Sequence, residues 1–293
     1  MQRRELAGVG ESRRSRSHEP GISFPPGCPF PPALADSRPA DWHLWLDDLP
    51  RPGYLNMAID SALLALAESD GVGFLRLYRW SPACISFGRH EPAARRYDRA
   101  RIAALGVDTV RRPTGGRAVW HDAELTYAIA APLATFGTLR ESCDRIHDLL
   151  QNALALLGID AERAPVPPRS AAPGAGPCFE TPAGGEVLVA GRKVAGSAQL
   201  RTANALLQHG SLLLGAAQHR LTAVIAGGEP RPDSAVAPPL GRPVAFTDAA
   251  EAIAHAARRW EGRWHTVQRG EPILEMAAAY ADAFRAPAWT WSR

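Results

Sequence analysis

The residues best suited to chemistry are a lysine and a cysteine that lie 15 positions apart in the chain. Lys193 is the only lysine, because the other 32 of the 33 lysine and arginine residues are arginines. Lysine carries a compact ammonium that can give up a proton, whereas the arginine guanidinium stays protonated. Cys178 lies upstream in a stretch rich in proline, glycine and alanine. It would be a nucleophile if Lys193 or His121 favoured its thiolate, and an ordinary loop thiol is the alternative.

A second candidate is the stretch Arg-Arg-Pro-Thr-Gly-Gly-Arg-Ala-Val-Trp-His, which spans residues 111–121. Gly115 and Gly116 follow a predicted strand and allow backbone N–H groups to approach a ligand closely. The three arginines offer donors to a phosphate or a carboxylate. The loop could therefore hold a nucleotide or pantetheine phosphate, pack against an acyl chain, or be a plain hairpin with solvated arginines. The sequence contains neither GxxxxGK[ST] nor GxGxxG, so the common nucleotide-binding loops are excluded.

Composition limits the function classes. The net charge of +3 is too small to indicate a nucleic-acid or membrane partner. No apolar run approaches the ~20 residues of a membrane span. The four cysteines form no CxxC pair, so neither a metal site nor a disulfide framework is expected. We therefore expect a cytoplasmic protein that needs no metal and no cofactor.

The order of predicted elements indicates the fold class. Residues 1–40 combine charged residues with a run of prolines and are predicted to be a disordered tail, so the folded part is 41–293. The predicted elements are a helix over 54–68, antiparallel paired strands over 74–80 and 83–87, a helix over 138–157 with His147 on its solvent side, a loop over 164–185, a hairpin over 186–199, a strand over 206–214, and two C-terminal helices starting at Thr247 and Glu271. Tight turns between neighbouring strands favour an α+β fold with an antiparallel or mixed sheet.

Several motifs together resemble the biotin/lipoate protein ligase–transferase superfamily, over roughly residues 42–215. They are Arg112–His121, Leu75–Trp80 with Gly88-Arg89, and Gly191-Arg-Lys-Val-Ala-Gly-Ser-Ala-Gln199 with Gln208-His-Gly-Ser211. Within the superfamily, Cys178-Phe-Glu shortly before Lys193 is similar to the loop of the cysteine-type octanoyltransferases. The resemblance implies a central mixed, largely antiparallel sheet flanked by helices, in a single acyltransferase catalytic domain over 41–293.

The resemblance also implies an activity: octanoyl transfer from octanoyl-acyl-carrier protein to a lysine of lipoyl domains or of a glycine-cleavage H protein. The acyl group would pass through a thioester on Cys178, without ATP, and Lys193 would polarise the acyl carbonyl. The glycines of the first loop would lie against the acyl chain, while Arg112 and Arg117 would face the carrier. The implied substrate-binding residues are Arg112, Thr114, Gly115, Gly116, Arg117, His121, Gly196 and Ser197.

Three alternatives remain open at the level of sequence. An ATP-dependent lipoate–protein ligase would use the Arg111/Arg112 loop and Lys193 for an acyl-adenylate. A related transferase would move octanoyl or lipoyl groups from one carrier protein to another. A catalytically silent acyl-binding or regulatory module is the third.

Overall fold

The computed structural model describes residues 41–165, 179, 184–227 and 237–293. The predicted tail, residues 1–40, lies outside this part of the chain, and so does Cys178. The strands are β1 Asp41–Arg51, β2 Gly73–Trp80, β3 Cys84–Phe87, β4 Asp108–Arg111, β5 Val119–His121, β6 Glu124–Pro132, β7 Glu162–Arg163, β8 Val187–Val189, β9 Arg192–Lys193, β10 Ala195–Arg201, β11 Ala205–Leu213 and β12 Arg263–Thr266. The helices are α1 Gly53–Asp70, α2 Ala93–Arg96, α3 Arg99–Ala104, α4 Leu139–Leu156, α5 Phe246–Ala257, α6 Glu271–Arg285 and α7 Pro287–Thr290, with 3₁₀ turns at Leu133–Thr135 and Ala217–Val224.

A six-stranded sheet forms the centre of the fold, in the order β10-β11-β6-β2-β1-β12. The pairs from β10 to β2 are antiparallel, whereas β1 runs parallel to both β2 and β12. Helices α1 and α6 cover one face, and α4 and α5 cover the other. The predicted α+β class, with a central mixed and largely antiparallel sheet flanked by helices, is therefore confirmed.

Alternation of side chains along the strands gives each face its own hydrophobic core. On β2, Leu75 and Leu77 point into the core beneath α4 and α5. Phe74 and Tyr78 of the same strand point into the core beneath α1 and α6. All nine residues of β6, which lies between β11 and β2, are buried because both faces are covered.

Helix α4 starts with a reciprocal capping box. The Thr138 hydroxyl accepts a hydrogen bond from the Glu141 backbone N–H at 3.2 Å. In return, the Glu141 carboxylate accepts one from the Thr138 backbone N–H at 2.7 Å. The helix buries one apolar stripe against the sheet. His147 was expected on the solvent side, and this prediction is wrong because the side chain is only 3% exposed. Its ring turns towards the segment before β8, where it finds polar partners.

The predicted antiparallel pairing of strands 74–80 and 83–87 is also wrong. Strand β2 belongs to the central sheet, while β3 lies in a separate sheet of order β4-β3-β5. Both edges of β2 are occupied, by β1 and β6, so none is left for β3. A local alternating pattern identifies a strand but does not specify its partner.

Two small sheets position the candidate site. The sheet β4-β3-β5 carries the Gly-Gly loop between β4 and β5. The sheet β7-β8-β9 carries Lys193, and its strands β8 and β9 form a hairpin whose turn has positive φ at Ala190 and Gly191. The predicted second strand of this hairpin, 194–199, is wrong in part, because residues 195–199 belong to β10 and pair with β11 in the central sheet. Helices α5 and α6 begin within one residue of the predicted starts. Within the described residues, no helix has both the length and the apolar composition that crossing a bilayer requires.

Candidate active site

A cleft opens on the α1 face of the central sheet, where the Gly-Gly loop approaches strands β10 and β11. It contains about 400 Å³ of empty space, including the part open to solvent. The lining residues come from six elements and one loop: Met57, Tyr78, Trp80, Arg112, Gly116, Val119, His121, Thr126, Gly196, Ser197, Ala198, His209, Gly210 and Ser211.

The floor of the cleft is a row of residues across four neighbouring strands. Gly196 pairs with Ser211, Ser211 with Thr126, and Thr126 with Tyr78. Directly paired residues share a face of the sheet, so these four positions line one side. Three strand spacings make the row about 14 Å long. The cleft therefore runs across the strands, from Gly196 at one end to Tyr78 and Trp80 at the other.

The Gly-Gly loop is held from within by Arg112. Its Nη2 donates to the carbonyl oxygens of Gly115 at 3.0 Å and Arg117 at 2.9 Å. Its Nη1 donates to the Ser86 carbonyl at 2.8 Å. A side chain on Gly88 would overlap the Gly116 carbonyl, so the close approach of β3 to the loop requires glycine there. The buried Arg112 guanidinium shapes the loop as well as lining the cleft.

A buried hydrogen-bond network centred on Asp60 fixes the other side of the same loop. The Asp60 carboxylate accepts from Arg76 Nη1, Tyr78 Oη and His209 Nδ1, each at 2.9 Å. Because a carboxylate only accepts, the His209 proton lies on Nδ1, and Nε2 accepts from the Thr114 hydroxyl at 2.6 Å. Burial lowers the pKa of His209 and keeps the ring neutral. Thr114 was predicted as a site residue from the sequence, whereas Asp60 and Arg76 were not.

A second buried carboxylate organises the Trp80 end of the cleft. One oxygen of Glu124 accepts from His121 Nδ1 at 2.6 Å, from Thr126 Oγ1 at 2.6 Å and from Ser211 Oγ at 2.9 Å. The Trp80 ring stacks on His121, with centroids 4.0 Å apart. Because the hydroxyls of Thr126 and Ser211 turn towards Glu124, and the His121 ring bonds to Glu124 and Ser86, the cleft presents mainly carbon surface. Such a surface suits an aliphatic chain.

Lys193 lies at the opposite end of the cleft. Its Nζ donates to Glu186 Oε1 at 2.6 Å, and the Phe179 ring centroid lies 4.9 Å from Nζ. A Cβ on Gly196 would lie 3.0 Å from the Phe179 ring and 3.4 Å from Lys193 Cε. Glycine at 196 therefore makes room for both side chains. Cys178, the predicted nucleophile, directly precedes Phe179 and lies outside the described residues.

A polar cluster on the α4 face supports this end of the cleft. His147 Nδ1 donates to the Gly185 carbonyl at 2.9 Å, so its Nε2 accepts from the Ser197 hydroxyl at 2.6 Å. Ser197 in turn contacts the Tyr127 hydroxyl at 2.5 Å. Burial, with a smaller contribution from Arg163, lowers the pKa of His147 to about 4. The neutral ring thus joins the segments before and after Lys193 to α4.

Most of the site residues predicted from the sequence lie close together in the structure. Arg112, Gly116, His121, Gly196 and Ser197 line the cleft, and Lys193 lies beside Gly196. Thr114, Gly115 and Arg117 belong to the loop that covers it, without being among the lining residues. Glu124 and Glu186 are additions, since an isolated glutamate in the sequence gives no signal of its function.

The fold, the glycine loop and the lysine hairpin together correspond to one known family. A profile of the lipoyl protein ligase A/B catalytic domain matches residues 52–253. The chain belongs to this family. Among its relatives, the octanoyltransferase LipM of Kyrpidia tusciae is 40% identical over 178 residues, which cover 58% of this chain and 65% of the relative. The LipM of Symbiobacterium thermophilum is 36% identical over 231 residues, which cover 73% of this chain and 84% of the relative. The matched region is thus somewhat under two thirds of the Kyrpidia relative's length.

Solved structures show the same fold at low sequence identity. A bi-partite lipoate protein ligase from Thermoplasma acidophilum, studied with its E2 lipoyl domain, has a TM-score of 0.65 and 21% identity, covering 86% of this chain and 96% of that one. A lipoate-protein ligase A bound with ATP has a TM-score of 0.67 and 19% identity, covering 86% and 98%. At these identities the likeness concerns the fold.

Proposed function

We propose that this chain is an octanoyltransferase of lipoate biosynthesis. The observation that carries the proposal is the carbon-lined cleft that ends at Lys193 and Gly196. An extended octanoyl chain is about 9 Å long, taking C–C bonds of about 1.5 Å. The row of residues on the floor is about 14 Å long, so the chain fits with its carbonyl at Lys193 and its methyl end near Trp80. The LipM relatives carry the name of this activity.

The proposed reaction has two steps. The Cys178 thiolate attacks the thioester carbonyl of octanoyl-acyl-carrier protein, and the C–S bond to the carrier breaks. The ε-amine of the acceptor lysine then attacks the enzyme thioester, a C–N bond forms, and the C–S bond to Cys178 breaks. Conversion of a thioester to an amide is downhill, so no ATP is consumed. Support for Cys178 comes from its chain neighbour Phe179, whose ring lies against Lys193.

The site residues have distinct proposed roles. Lys193 donates to the acyl carbonyl as negative charge develops on its oxygen. The Gly115-Gly116 loop covers the acyl chain, and Arg112 keeps that loop in shape from inside. Arg117 is half-buried at the loop and remains the proposed contact for the acidic carrier or its phosphopantetheine.

The proposed acceptors are lipoyl domains and the glycine-cleavage H protein. The Thermoplasma ligase was studied together with an E2 lipoyl domain, and we extend that kind of partner to this chain. A cytoplasmic location is part of the proposal, since a catalytic thiol stays reduced there.

The proposal is tested by incubating the protein with octanoyl-acyl-carrier protein and measuring its intact mass. We expect a gain of one octanoyl group, mapped to Cys178 by peptide analysis and absent in Cys178→Ala. Cys143→Ala, on α4, is the control and should keep the adduct. Normal transfer by Cys178→Ala, or acylation that requires lipoate and ATP and releases pyrophosphate, would contradict the proposal.

A further inference from the structure

Glu186 takes no part in the two proposed acyl-transfer steps, yet its carboxylate contacts Lys193. Lys193 Nζ donates to Glu186 Oε1 at 2.6 Å, and the two side chains are 2% and 14% exposed. At this distance and burial, the two opposite charges form a direct ion pair that is largely shielded from water. Burying an ammonium is costly unless a charged acceptor pairs with it.

The backbone around Glu186 is fixed on both sides. The Glu186 carbonyl accepts from the Ala164 N–H at 2.8 Å, and the Gly185 N–H donates to the Ala164 carbonyl at 2.8 Å. His147 Nδ1 donates to the Gly185 carbonyl at 2.9 Å. The carboxylate therefore reaches Lys193 from a segment that α4 and the residues after β7 hold in place.

Other titratable groups around the pair come from α4, β6 and β7. Arg163 lies 3.0 Å from Asp144 and 3.5 Å from Asp148. His147, with a pKa of about 4, is neutral at physiological pH. Burial also raises the pKa of Cys143 to about 11 and that of Tyr127 above its usual value, so both are neutral. Glu186 places a negative charge in direct contact with Lys193.

We propose that Glu186 is a positioning residue that holds the Lys193 ammonium in place beside Gly196. This role rests on the proposed transferase function. Lys193 then acts as a cationic donor to the acyl carbonyl and to the Cys178 thiolate, and it is not the base of the second step. The proton released by the attacking amine goes to the Cys178 sulfur as the C–S bond breaks, which restores the thiol.

The pairing can be tested without catalysis because the chain has a single lysine. Trace acetylation with acetic anhydride modifies free amines, and peptide mass spectrometry separates Lys193 from the α-amine. Glu186→Gln removes the charge at nearly constant size and weakens the contact that holds the amine, so we expect Lys193 to be labelled about tenfold faster at pH 8. Glu186→Asp keeps the charge and should label slowly. Glu162→Gln, an exposed position on β7 of the same small sheet, is the matched control.

An equal labelling rate in Glu186→Gln and wild type would overturn the pairing. Thermal melting of each variant shows whether it is folded before labelling is compared.

The catalytic test measures kcat and KM for octanoyl transfer at one pH. Glu186→Gln should lower kcat about tenfold and leave KM nearly unchanged, because the acyl carbonyl loses a fixed donor while the lining of the cleft stays the same. Glu186→Asp keeps the charge and should recover part of kcat. An unchanged kcat in Glu186→Gln refutes the role in catalysis. If wild type forms no octanoyl adduct, the proposed function fails, and the labelling result still decides the pairing.

Discussion

Replacement of Asp60 by asparagine tests the idea that a buried carboxylate holds the cleft together. Asp60 and Arg76 are both fully buried, and Asp60 accepts from Arg76, Tyr78 and His209. Asparagine keeps the size, but it removes the charge and points an NH₂ group at one of three donors. Asp47, 2.7 Å from Arg76 Nη2, still compensates part of the guanidinium charge.

The expected loss in the free energy of unfolding follows from these contacts. Removing one partner of a buried ion pair costs about 3–5 kcal/mol. Because Asp47 remains, we expect the lower end, about 3 kcal/mol, which lowers Tm by roughly 10 °C for a chain of this size. Octanoyl transfer should also fall, because His209 no longer holds Thr114 firmly in the Gly-Gly loop.

Urea denaturation at pH 7, monitored by circular dichroism, measures the loss. Asp282→Asn is the control: this aspartate is 92% exposed on α6, and its ion pair with Arg285 should contribute little to stability because water and salt screen it. If Asp60→Asn lowered the free energy of unfolding by less than about 1 kcal/mol, the buried network around Asp60 would not be a major source of stability.

Two further substitutions test the Lys193 end of the cleft. Gly196→Ala places a Cβ 3.0 Å from Phe179 and 3.4 Å from Lys193 Cε; we expect a folded protein whose kcat/KM for octanoyl transfer is at least about tenfold lower, and an unchanged value would contradict the tight packing. Protonating His147 opposes folding because its folded pKa, about 4, lies below the ordinary value of 6.5. The neutral His147 ring therefore contributes its full share to the free energy of unfolding above pH 6.5. As pH falls to about 4, the free energy of unfolding drops by roughly 3 kcal/mol in total. His147→Gln should therefore flatten the pH dependence of unfolding in this window, whereas His255→Gln, exposed on α5, should leave its slope unchanged.

The local features of this fold were predictable from the sequence. Alternating apolar residues define β2, and helical spacing defines α4, because these patterns follow directly from the period of each element. The glycine loop and the lysine hairpin were recognisable because glycine and lysine have few substitutes in such positions. The pairing of β3 was not predictable, since it depends on which strand edges remain free.

The buried network was hidden for a different reason. Asp60 and His209 are 149 residues apart, and Thr114 and His209 are 95 apart, so no local pattern connects them. Glu186 lies only seven residues before Lys193, yet the strand alternation around it indicates no function. The buried carboxylates and their hydrogen-bond donors come together only in the folded sheet, so the three-dimensional structure is needed to identify them.

A single-turnover experiment tests the central claim most directly. The octanoylated protein is separated from acyl-carrier protein and mixed with an unmodified lipoyl domain, in the absence of ATP. We predict that the octanoyl group leaves Cys178 and appears on the lysine of the lipoyl domain in one turnover. An octanoyl group that stays on the protein, or that sits on a residue other than Cys178, would contradict the account.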